Sequence, residues 1–162
     1  MKYFTQRGLS TVEFALVANL IFILMFAVFE IGRAYFIYAS LDEVTRRGVR
    51  VAVVCPINDP AIGRLAIFNT SGNGGPSSLV SGLTPAHIAV EYLDQNNTVV
   101  GNPAEATGFI RIRYVRVRVV GYQHQMQVPF VSGVTNFFMP EFSAVLPRES
   151  LGIPREGAVT PC

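Results

Sequence analysis

Few side chains in this 162-residue chain are placed to do chemistry. The first is Glu13, a carboxylate at the mouth of an apolar run over residues 14–29 in which Asn19 is the only polar side chain. An ionised carboxylate near a membrane interior costs about 2.5–3.5 kcal/mol on insertion scales. Such a group either stays hydrated at the interface or meets a partner. His87 and His124 are the two histidines, and neither stands in metal-ligand or triad spacing. Cys55 and Cys162 are too few for a disulfide framework and match no zinc pattern. In an oxidising compartment they can form one bridge; otherwise they are free thiols. The glycines around Gly74 are not followed by the Lys-Ser/Thr of a phosphate loop. No catalytic residue, metal site or cofactor is expected, and the chain is not read as an enzyme.

A second group is basic. Arg111 and Arg113 alternate with Ile110, Ile112 and Tyr114; Arg116 and Arg118 alternate with Val115, Val117 and Val119. A period of two is the mark of a strand. The parity slips between Tyr114 and Val115. A β-bulge there keeps all four arginines on one face, whereas an unbulged strand turns each set over. The bulge is the reading adopted here. It gives a basic strand face, read first as solvated surface and second as a docking face for a neighbouring subunit. The formal net charge of +2 does not argue for nucleic acid.

The elements that position these groups begin with the apolar run. A bilayer's hydrocarbon needs roughly twenty helical residues, and the run reaches that when counted from Leu9. Lys2 and Arg7 before it resemble a secretory signal, but Glu30, Ile31, Gly32 and Arg33 after it offer no small-residue cleavage site. The helical pattern continues instead. Ala34, Ile37, Leu41, Val44, Gly48 and Ala52 recur at spacings of three and four, and Pro56 ends the run. One helix is expected over residues 9–54, about 70 Å long, with a membrane-spanning part at about 9–31 and a protruding part at 32–54. Basic residues flank the span on both sides, so the basic-loop rule does not settle orientation. The adopted orientation has a short cytoplasmic leader.

The remainder, residues 55–162, is expected to be a small antiparallel-sheet head, making the whole α+β. Residues 61–68 suggest a short helix, and Thr84 to His87 a capped turn or the lead into a strand. Residues 87–101 read as strand, polar turn, strand. Phe130, Val131, Val134, Phe137, Phe138 and Met139 suggest an apolar loop or short helix. Residues 142–146 read as a last strand before Pro147, and residues 152–162 as an irregular tail.

The segment "RGLSTVEFALVANLIFILMFAVFEIGRAYFIYASLDEVTRRGVRVA" resembles the N-terminal region of the TadE-like family, pilin-like proteins of the tight-adherence (Flp, type IVb) pilus machinery. The resemblance rests on Gly8 followed by Glu13, Phe14, Ala15, Leu16 and Val17, on the apolar run, on Glu30-x-Gly32-Arg33, and on the small-residue and arginine pattern through Arg50. It covers about the first fifty-five residues. Asn19 departs from the proline that such sequences often carry there.

The resemblance implies a role for each part. Residues 1–8 would be a leader cut between Gly8 and Leu9 by a prepilin peptidase. Glu13 would become the fifth mature residue and, with Phe14 beside it, serve assembly by pairing with the new α-amine of a neighbouring subunit. The implied function is that of a minor pilin or pseudopilin. The implied partners are the peptidase, other pilin or pseudopilin subunits, the assembly platform and membrane lipid. The chain would sit as a single-pass protein of a bacterial inner membrane, N-terminus cytoplasmic, with its head in the periplasm or in an extracellular pilus. A chain much longer than a major pilin of this type favours a minor role. The alternative is a permanently membrane-anchored extracytoplasmic binding module with an uncut leader.

Overall fold

No proline interrupts residues 9–52, and the computed structural model forms them into one 44-residue helix, α1 (Leu9–Ala52). The structure describes residues 9–69, 74–126, 136–153 and 162. The helix closes two residues short of the expected end. Val53 and Val54 already lie in a turn, where the Cys55 N–H donates to Val51 O at 2.9 Å.

Two compact units divide the chain: Met1–Phe36 with His124–Phe137, and Ile37–Gln123 with Phe138–Cys162. Within α1 the division falls at Phe36–Ile37. The reason is burial. Ile37, Leu41, Val44, Val49 and Ala52 are buried core residues of the sheet-bearing unit.

In that unit three antiparallel strands, β1 (Ile88–Leu93), β2 (Tyr114–Val119) and β5 (Phe142–Pro147), form a sheet in the order β1-β2-β5. Val115, Val117 and Val119 of β2 face the core beside Tyr92, Val90 and Ile88 of β1 and Leu146, Ala144 and Phe142 of β5. The second half of α1 covers this face, so the fold is α+β. Two short elements complete its cover. Helix α2 (Pro60–Ala66) starts where Asp59 Oδ1 accepts the Ala61 N–H at 2.8 Å and Pro60 supplies a preset φ. A 3-10 turn (Pro85–His87) leads into β1, with the Thr84 N–H donating to His87 Nδ1 at 3.0 Å.

One expected strand is not formed and another is shortened. After β1 the chain turns at Asp94, whose Oδ1 accepts the Asn96 and Thr98 N–H groups at 2.9 and 3.0 Å. The return is a single bridge, Leu93 to Val99, and not a second strand. Of the expected bulged strand only β2 is formed, without a bulge. Residues Ala106–Arg111 are a short helix, α3, so the parity slip at Tyr114 marks a helix-to-strand boundary. Ile110 is 67% exposed while Ile112 is fully buried, an asymmetry that a single strand face would not give.

The other unit carries α1 up to Phe36 and a two-stranded sheet of β3 (Gln123–Gln125) and β4 (Asn136–Phe138). The apolar loop or short helix expected around Phe137 and Phe138 is thus partly strand; Phe130, Val131 and Val134 lie outside the described residues. Of the tail, Gly152 donates to Val54 O at 2.7 Å and holds a φ of +79°, packed so closely that a Cβ would lie 2.6 Å from Pro56 Cγ. Residues 154–161 lie outside the described part.

Candidate functional site

Residues 10–36 of α1 bury little of their apolar surface. Phe14 is 74% exposed, and Leu16, Leu20, Phe22, Leu24, Val28 and Ile31 are also exposed. The helix is long and apolar enough to cross a membrane, and a helix apolar all round is stable only in lipid or among other helices. Glu13 lies on this exposed surface next to Phe14, and makes no hydrogen bond or ion pair with a described residue. Leu9 is the first residue of α1; Gly8 lies outside the described residues, as do Lys2, Arg7 and the whole expected leader.

Seventeen residues on from Glu13, the second acidic residue of the helix behaves differently. Glu30 is 8% exposed. Arg33, one turn later on the same face, donates Nε to Glu30 Oε2 at 3.2 Å and Nη2 to Oε1 at 2.6 Å. The same Nη2 reaches Gln125 O of β3 at 2.6 Å. His124, 2% exposed, brings Nε2 to 3.4 Å from Glu30 Oε1 without hydrogen-bond geometry. A two-pronged guanidinium offsets the cost of burying the carboxylate, and the shared arginine fastens β3 to α1. Glu30 and Arg33 share the Glu30-x-Gly32-Arg33 motif, but nothing in the sequence links them to His124. Their separation of more than ninety residues leaves no local signal of the contact.

The four arginines are not brought onto one face. Arg116 and Arg118 do project from the outer face of β2, beside Glu91 and Ala89 of β1. Arg116 donates Nε to Glu91 Oε2 at 2.7 Å, and Arg118 donates to Glu91 Oε1 and, through Nη1, to Glu141 Oε1 at 2.7 Å. Two cations thus meet two anions. Burial pushes the Glu91 carboxyl up, but the hydrogen bonds and charges of Arg116 and Arg118 outweigh it and hold Glu91 below the ordinary glutamate value. Arg111 ends α3 and pairs with Asp94 at 3.4 Å, and Arg113 is exposed in the connection to β2. Asp94 is held below the ordinary aspartate value, first by the Thr98 N–H.

Cys55, 1% exposed, is bonded to Cys162, with the two Cα atoms 5.8 Å apart. The Cys162 N–H donates to Asp59 Oδ2 at 3.3 Å, the carboxylate whose other oxygen caps α2. A shallow hollow of about 250 Å³ beside Leu41, Tyr122 and Met139 holds the paired Arg118 and Glu141, with no histidine, cysteine or serine among the described residues of its wall. Among the described residues no group of three His, Cys, Asp or Glu side chains gathers as for a metal ion.

Residues 8–50 match the sequence model of a family described as TadE-like protein. The match covers about a quarter of the chain and coincides with α1. Over these residues the N-terminal helix is similar to TadE-like proteins. No curated protein and no solved structure matches the chain.

Proposed function

We propose, from the TadE-like segment over residues 8–50, that this chain is a minor pilin or pseudopilin of a tight-adherence pilus or a related secretion apparatus. It is a structural subunit and not an enzyme. A prepilin peptidase cuts between Gly8 and Leu9, leaving Glu13 as the fifth mature residue. The chain sits in the inner membrane with residues 1–8 cytoplasmic and its sheet domain outside. Its partners are other pilin subunits and the assembly platform.

The observation that carries this reading is the contrast between the two acidic residues of α1. Glu30 is buried and satisfied within the chain, whereas Glu13 is exposed on an apolar helix surface with no described partner. A carboxylate four residues from a newly freed α-amine can pair with the amine of an adjoining subunit. Each charge alone is costly in lipid, and the pair less so. The pairing supplies register between subunits more than stability.

Glu13→Ala tests the reading. The variant is expected to be processed as wild type yet to be lost from the pilin assemblies that co-purify with wild-type protein. Normal co-purification and normal adherence of the Glu13→Ala strain would count against it.

A further inference from the structure

We infer that Asn19 is the contact point at which α1 associates with α1 of a second copy of this chain inside the membrane. The inference rests on the reading of residues 9–31 as the membrane span.

Asn19 stands ten residues into α1, about 15 Å along the helix axis from Leu9. The hydrocarbon core is about 30 Å thick, so the amide lies near its middle. Glu13 is different, for it stands only about 6 Å from the same end, where the α-amine of the proposed function supplies its partner. The short asparagine side chain cannot reach either interface.

Asn19 is exposed, and it makes no hydrogen bond with another described residue. Its neighbours one and two turns away on the same face, Val12, Leu16, Phe22, Ile23 and Phe26, are exposed too. The amide therefore faces hydrocarbon unless another helix covers it. An unpaired amide there carries a desolvation cost that a hydrogen bond across two helices removes.

The occupant follows from the chemistry of the group. A carboxamide carries one acceptor and two donors, so it is complementary to another carboxamide. Two copies of α1 meeting at Asn19 each donate to and accept from the other. All other side chains between residues 14 and 29 are apolar, so no second polar site within the run competes for register.

The test uses the full chain in detergent, by sedimentation equilibrium at several protein-to-detergent ratios. Wild type is expected to form a reversible dimer. Asn19→Leu is expected to raise its dissociation constant about 5- to 30-fold, and Asn19→Gln, which keeps the amide, to stay near wild type. Equal dimerisation of Asn19→Leu and wild type overturns the proposal. So does a wild-type chain that stays monomeric alone and associates through Asn19 only with a different pilin helix. Alkaline extraction of membranes separates the premise from the proposal. Release of the protein overturns both, and retention with an unaltered Asn19→Leu dimer overturns the Asn19 contact alone.

Discussion

Gly48 of α1 lies so close to Val117 of β2 that a Cβ on the glycine would sit 3.0 Å from Val117 Cγ1, with Ala66 Cβ of α2 at 3.1 Å. This contact lets the helix backbone approach the central strand, and the core of the sheet-bearing unit closes around it. Gly48→Leu forces three additional heavy atoms beyond Cβ into a space already filled. It is expected to destabilise that unit by about 1–3 kcal/mol through overpacking, visible as a lower Tm for loss of β-sheet circular dichroism. An unchanged Tm would show that α1 and β2 do not pack as described.

The Glu91 cluster predicts a pH dependence. Glu91 is held below its ordinary value in the folded protein, so the unfolded chain takes up its proton first as the pH falls. Its contribution is fully present above the ordinary glutamate range and is lost as the pH drops through the lower folded value. Glu91→Gln is expected to lower stability at pH 7 by on the order of 1–2 kcal/mol, given partial exposure. It should also flatten the acid limb of a stability–pH curve measured by urea unfolding. A parallel curve for variant and wild type would remove the role given to the Arg116–Glu91–Arg118 contacts.

The bond between Cys55 and Cys162 closes a loop with a sequence separation of 107 residues. Chain-entropy arguments give about 4.7 kcal/mol for a loop near 100 residues. Cys162→Ser should therefore lower Tm markedly without removing the α2 cap, which Asp59 Oδ1 makes by accepting the Ala61 N–H. Peptide mapping under non-reducing conditions should recover a linked Cys55–Cys162 peptide. Two free thiols in exported protein would contradict the bond.

Arg33 makes the clasp between α1 and β3. Arg33→Met would leave the Glu30 carboxylate buried without its cation, a loss of about 3–5 kcal/mol for a fully buried pair and less at the partial exposure of Arg33. Glu30→Gln together with Arg33→Met should recover much of that loss, because no buried charge remains. The readout is amide exchange at His124 and Gln125, fast in the single variant and slower in the double. Equal exchange rates in wild type and Arg33→Met would show that the arginine does not hold β3.

The long helix was legible because its signals were long and mutually consistent. No proline falls between Leu9 and Ala52, and Leu41, Val44, Gly48 and Ala52 repeat at helical spacing into the core. The alternation of Val115, Val117 and Val119 with Arg116 and Arg118 likewise gave β2 and its buried face. The same alternation misled one turn earlier. Ile110 and Ile112 mimic a strand pattern, yet the chain forms a helical turn there, with the Phe109 N–H donating to Glu105 O at 2.7 Å. Short apolar runs do not separate helix from strand by periodicity alone. The pairing of β3 with β4 had no sequence signal, since each strand is three residues long. The Glu30, Arg33 and His124 cluster was invisible for a related reason, because the contact joins segments far apart in the chain. Ion pairing on the outer face of β2 was hidden too, for Glu91 and Glu141 lie on other segments.

The N-terminus of the protein in living cells tests the pilin-subunit reading most directly. Mass spectrometry of protein taken from the native membrane is predicted to find a chain beginning at Leu9, and a Gly8→Asp variant is predicted to retain Met1 and residues 2–8. Native protein that still begins at Met1 would leave Glu13 with no adjacent amine and would contradict the pilin-subunit reading.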